Sequence, residues 1–198
     1  AEDGIRDLVR SRGLGDVYKR QLTAHSLDDL TTAIPRLVPG LPDCVRADVM
    51  LYDFEAGTMT LMTAHTAAET DVDAGWRASL DTAWVSALQA SADSVYLIED
   101  MQQAPATSAW QAALRTEHVR ALLAVPLVID GVLAGSLNLG MDAPGPVRPE
   151  KIEIAQELAT QLALGIQQVR LREQVQRYTE DLEEKVRHRT AALRASNT

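Results

Sequence analysis

Arg120-Ala121-Leu122-Leu123-Ala124-Val125-Pro126-Leu127-Val128-Ile129-Asp130-Gly131-Val132-Leu133-Ala134-Gly135-Ser136-Leu137-Asn138-Leu139 is the stretch on which the fold turns. Its first half is an apolar run of strand length, bounded by a turn signal, and reads as a buried strand. Asp130-Gly131 tolerates positive φ at both positions and marks a two-residue hairpin turn. Val132 to Met141 is then the paired strand. Pro126 has no N–H to give a ladder, so it belongs at a bulge or an edge-facing position. Gly135 inside a strand signals close backbone approach, here expected from the closing helix.

Working back from this hairpin, Ser94 to Ile98 reads as a short strand, followed by a loop from Met101 to Thr107 and a short helix from Ser108 to Glu117. Asp81 or Thr82 caps a helix to Ala90 with Trp84, Val85 and Leu88 on one face. Residues 66–80 are polar and weakly patterned, a loop with a short helical turn around Trp76. Arg46 to Phe54 and Met59 to His65 flank the turn Glu55-Ala56-Gly57-Thr58 as a first hairpin. Ser26, with Asp28 and Asp29 behind it, caps a further helix carrying Leu27, Leu30, Ile34, Leu37 and Val38, which Pro39-Gly40 ends. Working forward, Pro149 opens the longest element, with Glu150 and Glu153 suited to a helix N-terminus. Gly165 is its one weak spot, and at ~1.5 Å per residue it reaches roughly 70 Å, too long to pack fully on one small domain.

The 198 residues suit one domain plus an appendage, and 46% hydrophobic content supports a real core. A net charge of −9 makes nucleic acid and anionic membrane surfaces poor partners. Cys44 is the single cysteine, which excludes an intrachain disulfide and a thiolate metal cluster. His25, His65, His118 and His188 fall in no metal-ligand spacing. No apolar run is long enough to span a membrane and no secretory pattern opens the chain, so a reducing cytoplasm is the expected compartment. Residues 1–21 stand apart. Their basic cluster holds Arg6, Arg10, Arg12, Lys19 and Arg20. Asp16-Val17-Tyr18-Lys19-Arg20-Gln21 resembles an in-frame translation of a transposon end used in library construction; an ordinary basic linker is the other reading.

The stretch quoted first resembles the GAF domain family, in which an RSLLAVPL-like strand, a DG turn and a G-x-L strand follow one another. Val95-Tyr96-Leu97-Ile98-Glu99-Asp100 is similar to the family's third strand and following aspartate, and Ala155-Gln156-Glu157-Leu158-Ala159-Thr160-Gln161-Leu162-Ala163 to its closing helix. The resemblance implies an α+β fold: a central antiparallel sheet of five to six strands flanked by helices, with a long C-terminal helix. It divides the chain into a non-native or linker segment 1–21, a sensor domain 22–168 and a signalling helix 169–198. It also implies a small-molecule pocket between the sheet and the surrounding helices and loops. The matching positions are Trp84, Tyr96, Met101 and Trp110, with Tyr52, Met62, Ser136 and Asn138 from the sheet. Plain core is the competing reading for Trp84, Met62 and Met101. Asn138 is the sharper clue, because a buried amide must find partners. Asp100 is expected to cap the loop after it.

Beyond the domain, Leu171, Val175, Tyr178, Leu182, Val186 and Leu193 are the apolar positions of an otherwise charged helix. The first spacings are four, three, four and four, a heptad-like seam with a stutter. A solitary helix this polar is marginal in water, and pairing two copies in parallel buries the seam. Leu182-Glu183-Glu184-Lys185-Val186-Arg187-His188-Arg189-Thr190-Ala191-Ala192-Leu193 resembles the signalling-helix linker of bacterial sensor kinases, with His188 in place of an acidic residue. The family implies that such a helix passes the state of a ligand or partner to an output domain, a histidine kinase in this reading. A ligand-free dimerisation and scaffolding module is the alternative. No nucleophile, acid–base pair, phosphate loop, identifiable cofactor motif or metal site emerges, so no enzyme activity is expected of the chain itself.

Overall fold

The computed structural model describes residues 43–66, 70, 72–91, 95–105 and 108–196, with side chains to His188. The expected helix from Ser26 and the segment 1–21 lie outside them. Six strands, β1 (Cys44–Asp53), β2 (Thr58–Thr66), β3 (Arg77–Ser79), β4 (Tyr96–Ile98), β5 (Ala121–Ile129) and β6 (Val132–Met141), form one sheet in the order β3-β2-β1-β6-β5-β4. Every neighbouring pair is antiparallel. The helices are α1 (Thr82–Ala90), α2 (Ala109–Thr116) and α3 (Pro149–Ser196).

The two hairpins form where the turn chemistry puts them. Asp130 and Gly131 both take positive φ, 53° and 78°, which matches the right-handed twist of the strands they join. Pro126 lies beyond the last β4 rung, Tyr96 opposite Ala124, so its missing N–H faces no strand. A register shift follows at once between Leu127 and Val128. Gly135 does mark a close approach, but the neighbour differs from the one expected. A Cβ there would run into the Met50 carbonyl oxygen of β1, not into the closing helix. The polar stretch before α1 also holds more structure than its pattern suggests. Asp73 to Trp76 is a β-turn, closed by the Trp76 N–H on the Asp73 carbonyl, and β3 then pairs along the edge of β2.

Side chains alternate between two cores. On one face Val49, Leu123, Val125, Leu127, Leu137 and Leu139 pack under α3. The α3 contribution is Ala155, Leu158, Ala159, Leu162, Ala163, Ile166 and Val169, a 3.6-period stripe that ends at Val169. On the other face Met50, Met59, Leu61 and Leu122 meet α1 and α2 through Trp84, Val85, Leu88, Trp110 and Leu114. Capping fixes both short helices: Asp81 accepts from the Trp84 N–H, and Ser108 from the Gln111 N–H. α3 runs through Gly165 without a break, and from Arg170 to His188 every residue is exposed.

Candidate functional site

The site builds from alternation on β1 and β6. Asp48 stands opposite Asn138, and Met50 opposite Ser136. Arg46 and Tyr52 extend the row at either end of the same face, since strand side chains two apart share a face. Apolar residues would be the default here, yet this row is mostly polar and almost wholly out of water. Two hydrogen-bonded groups satisfy most of it.

The first group is hydroxylic. The Tyr52 hydroxyl and Ser136 Oγ share a hydrogen bond of 2.7 Å, and Trp84 Nε1 donates to the Tyr52 hydroxyl at 2.9 Å. Burial pushes the Tyr52 phenol well above its ordinary range, against the two hydrogen bonds, so it stays protonated. Trp84 in turn packs edge-on against Tyr96, 5.4 Å between centroids, and Trp110, 5.1 Å. Met101 closes the same cluster.

The second group is ionic. Arg46 Nε donates to Asp48 Oδ2 at 2.9 Å, Nη1 to Glu117 Oε2, and Nη2 to the Val72 carbonyl at 3.0 Å. Thr70 donates to the other Glu117 oxygen. Asn138 Nδ2 donates to Asp48 Oδ1 at 2.7 Å. One guanidinium therefore holds two buried carboxylates. Burial opposes the charge on Arg46, but Asp48 and Glu117 together keep its pKa above the ordinary value. Burial also wins at Asp48, raising its carboxyl despite Arg46 and Asn138, with Glu117 adding to the rise. The network ties the start of β1 to the turn after α2 and to Thr70 and Val72.

Among the described residues four buried side-chain atoms have no partner, Arg115 Nε, Arg120 Nε, Asn138 Oδ1 and Trp110 Nε1; the last two, an acceptor and a donor, belong to the polar row and its aromatic cover. An unmade hydrogen bond at a buried group costs about 1–3 kcal/mol. Such atoms are where a small molecule would find unspent hydrogen-bonding capacity.

Seven of the eight pocket residues expected from sequence thus come together: Tyr52, Trp84, Tyr96, Met101, Trp110, Ser136 and Asn138. Met62 does not join them. It is the extra residue of a β-bulge, with Val49 opposite Thr63 and Met50 opposite Leu61, and it packs with the α3-side core. Cys44 opens β1 and also packs on the α3 side; burial holds its thiol up at about 11. A thiol so placed is a poor nucleophile and stands away from the polar row. Asp100 caps its loop as expected, accepting from the Gln102 N–H at 2.9 Å and from Gln103 Nε2 at 2.8 Å. Sequence reasoning missed Arg46, Asp48 and Glu117. The signal was available in part: Arg46 and Asp48 sit at i and i+2 within an otherwise apolar strand, which puts both charges on one buried face.

The seam residues Leu171, Val175, Tyr178, Leu182 and Val186 are all more than half exposed, a row of large apolar groups facing water on one protomer. The Leu193 side chain lies outside those described. Among the described residues no helix is long and apolar enough to cross a membrane.

Comparison with solved structures places the architecture. The GAF domain of a two-component sensor histidine kinase from Bacillus halodurans superposes with a TM-score of 0.62 at 18% identity, over 76% of this chain and 99% of that one. The blue-light absorbing form of the PixJ GAF domain from Thermosynechococcus elongatus gives 0.60 at 23% identity, over 78% and 95%. The phycoerythrobilin-bound GAF domain of a cyanobacterial phytochrome gives 0.66 at 14% identity, over 83% and 98%. No curated protein matches the chain. At these identities the likeness speaks to the fold. Residues 24–167 match the GAF domain family. That match spans most of the chain, and its strands, turn and closing helix are those described above: the chain belongs to the GAF domain family.

Proposed function

We propose that the chain is a regulatory sensor module. In this reading a small molecule binds on the polar row under Trp84 and Trp110, and its presence is passed along α3 of a parallel homodimer to an output domain, a histidine kinase. The observation that carries the reading is the pair of unpartnered buried atoms, Asn138 Oδ1 and Trp110 Nε1, beside the Tyr52–Ser136 hydroxyl pair. Core packing alone gives no reason to leave an acceptor and a donor unsatisfied in one region, whereas a ligand with complementary groups recovers both. The histidine-kinase GAF domain among the similar folds supports the choice of output. The chain itself is read as non-catalytic. Its one thiol is held protonated on the wrong face, and among the described residues the two buried carboxylates are both bound to Arg46. A reducing cytoplasm is the compartment this reading expects.

A ligand moves such a device only by binding two arrangements unequally. The Arg46–Glu117 contact suggests how, since Glu117, Thr70 and Val72 would move with any opening of the aromatic cover. The second reading, a ligand-free dimerisation scaffold, is favoured by the aromatic packing itself: Trp84, Trp110 and Met101 are each almost fully buried against one another.

Native mass spectrometry of the whole chain, before and after incubation with cell extract, separates the two. Sensing requires a reproducible added mass that Ser136→Ala reduces. No added mass, together with an unfolding midpoint that no member of a metabolite panel shifts, leaves the scaffold.

A further inference from the structure

The opposite face of the sheet carries a recess where α3 leaves the head. Leu51, Thr60 and Arg77 are successive cross-strand partners on β1, β2 and β3, so their side chains share a face. That face is the α3 side, because Leu51 packs with the α3 core. Arg170 hangs over it from α3, one residue past Val169, the last helix residue buried on the sheet. With Asp53 and Glu55 of the first hairpin turn they border a recess of about 480 Å³. Two cations and two anions therefore line one cavity. Among the described residues, Arg77, Arg170 and Glu55 have no side-chain hydrogen bond or ion pair, with one another or with any other group. Asp53 spends one oxygen on the turn, accepting from the Glu55 and Ala56 N–H groups, which leaves Oδ2 free.

Opposite charges that border one space without closing on each other are complementary to a molecule bearing both signs. We propose that this recess binds a small zwitterion of the α-amino-acid class. Its carboxylate takes the guanidinium forks of Arg77 and Arg170, and its ammonium takes Glu55 and the free Asp53 oxygen. Leu51 and the half-exposed Phe54 ring supply an apolar wall, which selects an aliphatic or aromatic side chain. Neither a simple anion nor a simple cation suits the recess as well, because either would face two uncompensated like charges. An occupant would link the edge strand β3 to the root of the helix. Tyr52 belongs to both places, bordering this recess while its hydroxyl serves the polar row on the other face; the charged groups invoked here take no part in that row.

The test is calorimetric titration of the whole chain with L-leucine, N-acetyl-L-leucine and L-leucinamide. Exposed charge contacts are individually weak, so L-leucine should bind with a Kd on the order of 1 mM. N-Acetyl-L-leucine lacks the ammonium and L-leucinamide lacks the carboxylate; each should bind at least roughly fivefold more weakly. Arg170→Gln and Glu55→Gln should each weaken L-leucine by a similar factor, while Arg187→Gln, far along α3, leaves it unchanged. These side chains are exposed, and circular dichroism checks that each variant stays folded. Absence of L-leucine binding, equal binding of the three compounds, or affinity untouched by Arg170→Gln and Glu55→Gln overturns the assignment.

Discussion

Arg46 between Asp48 and Glu117 is the most demanding residue-scale arrangement in the molecule. Taking charges out of water costs several kcal/mol per ion, and a single guanidinium cannot fully offset two carboxylates. The imbalance has a pH consequence with a definite sign. Asp48 has its carboxyl raised above the ordinary value of 3.8, mainly by burial. In the native protein it therefore takes up a proton at a pH where the unfolded chain is still ionised. Its contribution to stability is fully present below the unfolded value and is lost as pH rises through the folded one. Urea unfolding of wild type and Asp48→Asn from pH 7 to pH 4 should show wild type gaining on the variant as pH falls. A constant difference would mean that Asp48 titrates alike in both states. At this scale the sequence was legible where polarity broke a local pattern, as at Ser136 and Asn138 within an apolar strand. It was silent on the contact between Arg46 and Glu117, which lie 71 positions apart. Their pairing is made by the sheet and the turn after α2, and no spacing encodes it.

At the scale of elements, boundaries followed capping and turn chemistry closely: Asp81 starts α1, Ser108 starts α2, and Asp130-Gly131 joins β5 to β6. The strand β3 was hidden because Arg77-Ala78-Ser79 is too short to show alternation; it exists because the edge of β2 offers it hydrogen bonds. Met62 was placed on the wrong face because a bulge inserts it opposite no residue, and bulges leave no mark in the hydrophobic pattern. Gly135 was read correctly as a close approach and wrongly as to its neighbour. Strand order decides that neighbour: β1 inserts beside β6, bringing the Met50 carbonyl against Gly135. Gly135→Ala should therefore strain the β1–β6 pairing. We expect a loss of about 1–3 kcal/mol in urea unfolding, the usual range for an added methyl with backbone on its far side. The obstacle is a main-chain oxygen and cannot rotate away. A substitution without cost would show that β1 and β6 separate more easily than their unbroken register from Arg46 to Leu51 suggests.

For the whole molecule, the question is what the exposed half of α3 is for. The stripe that packs on the sheet ends at Val169, and a second stripe on another side of the helix takes over, at Leu171, Val175, Tyr178, Leu182 and Val186. An isolated helix gains nothing from such a stripe, and its first bound turn is costly to nucleate. Two copies side by side bury it, and the four–four step between Tyr178, Leu182 and Val186 loosens the supercoil at that point. A loosened seam is easier to rotate or shift than a strict heptad, which suits the proposed passage of a signal along the helix. The proposed pairing makes a direct prediction. Sedimentation velocity of wild type should give a dimer, and Val175→Lys with Leu182→Lys should give a monomer, because two desolvated ammonium groups would face their own copies across the seam. The helical signal should fall as the freed segment frays, while the unfolding midpoint of the head stays put, since neither residue touches it. A wild-type chain that remains monomeric at high concentration, with its helical content intact, would remove pairing from the mechanism and leave the head as a binder whose state the helix cannot convey.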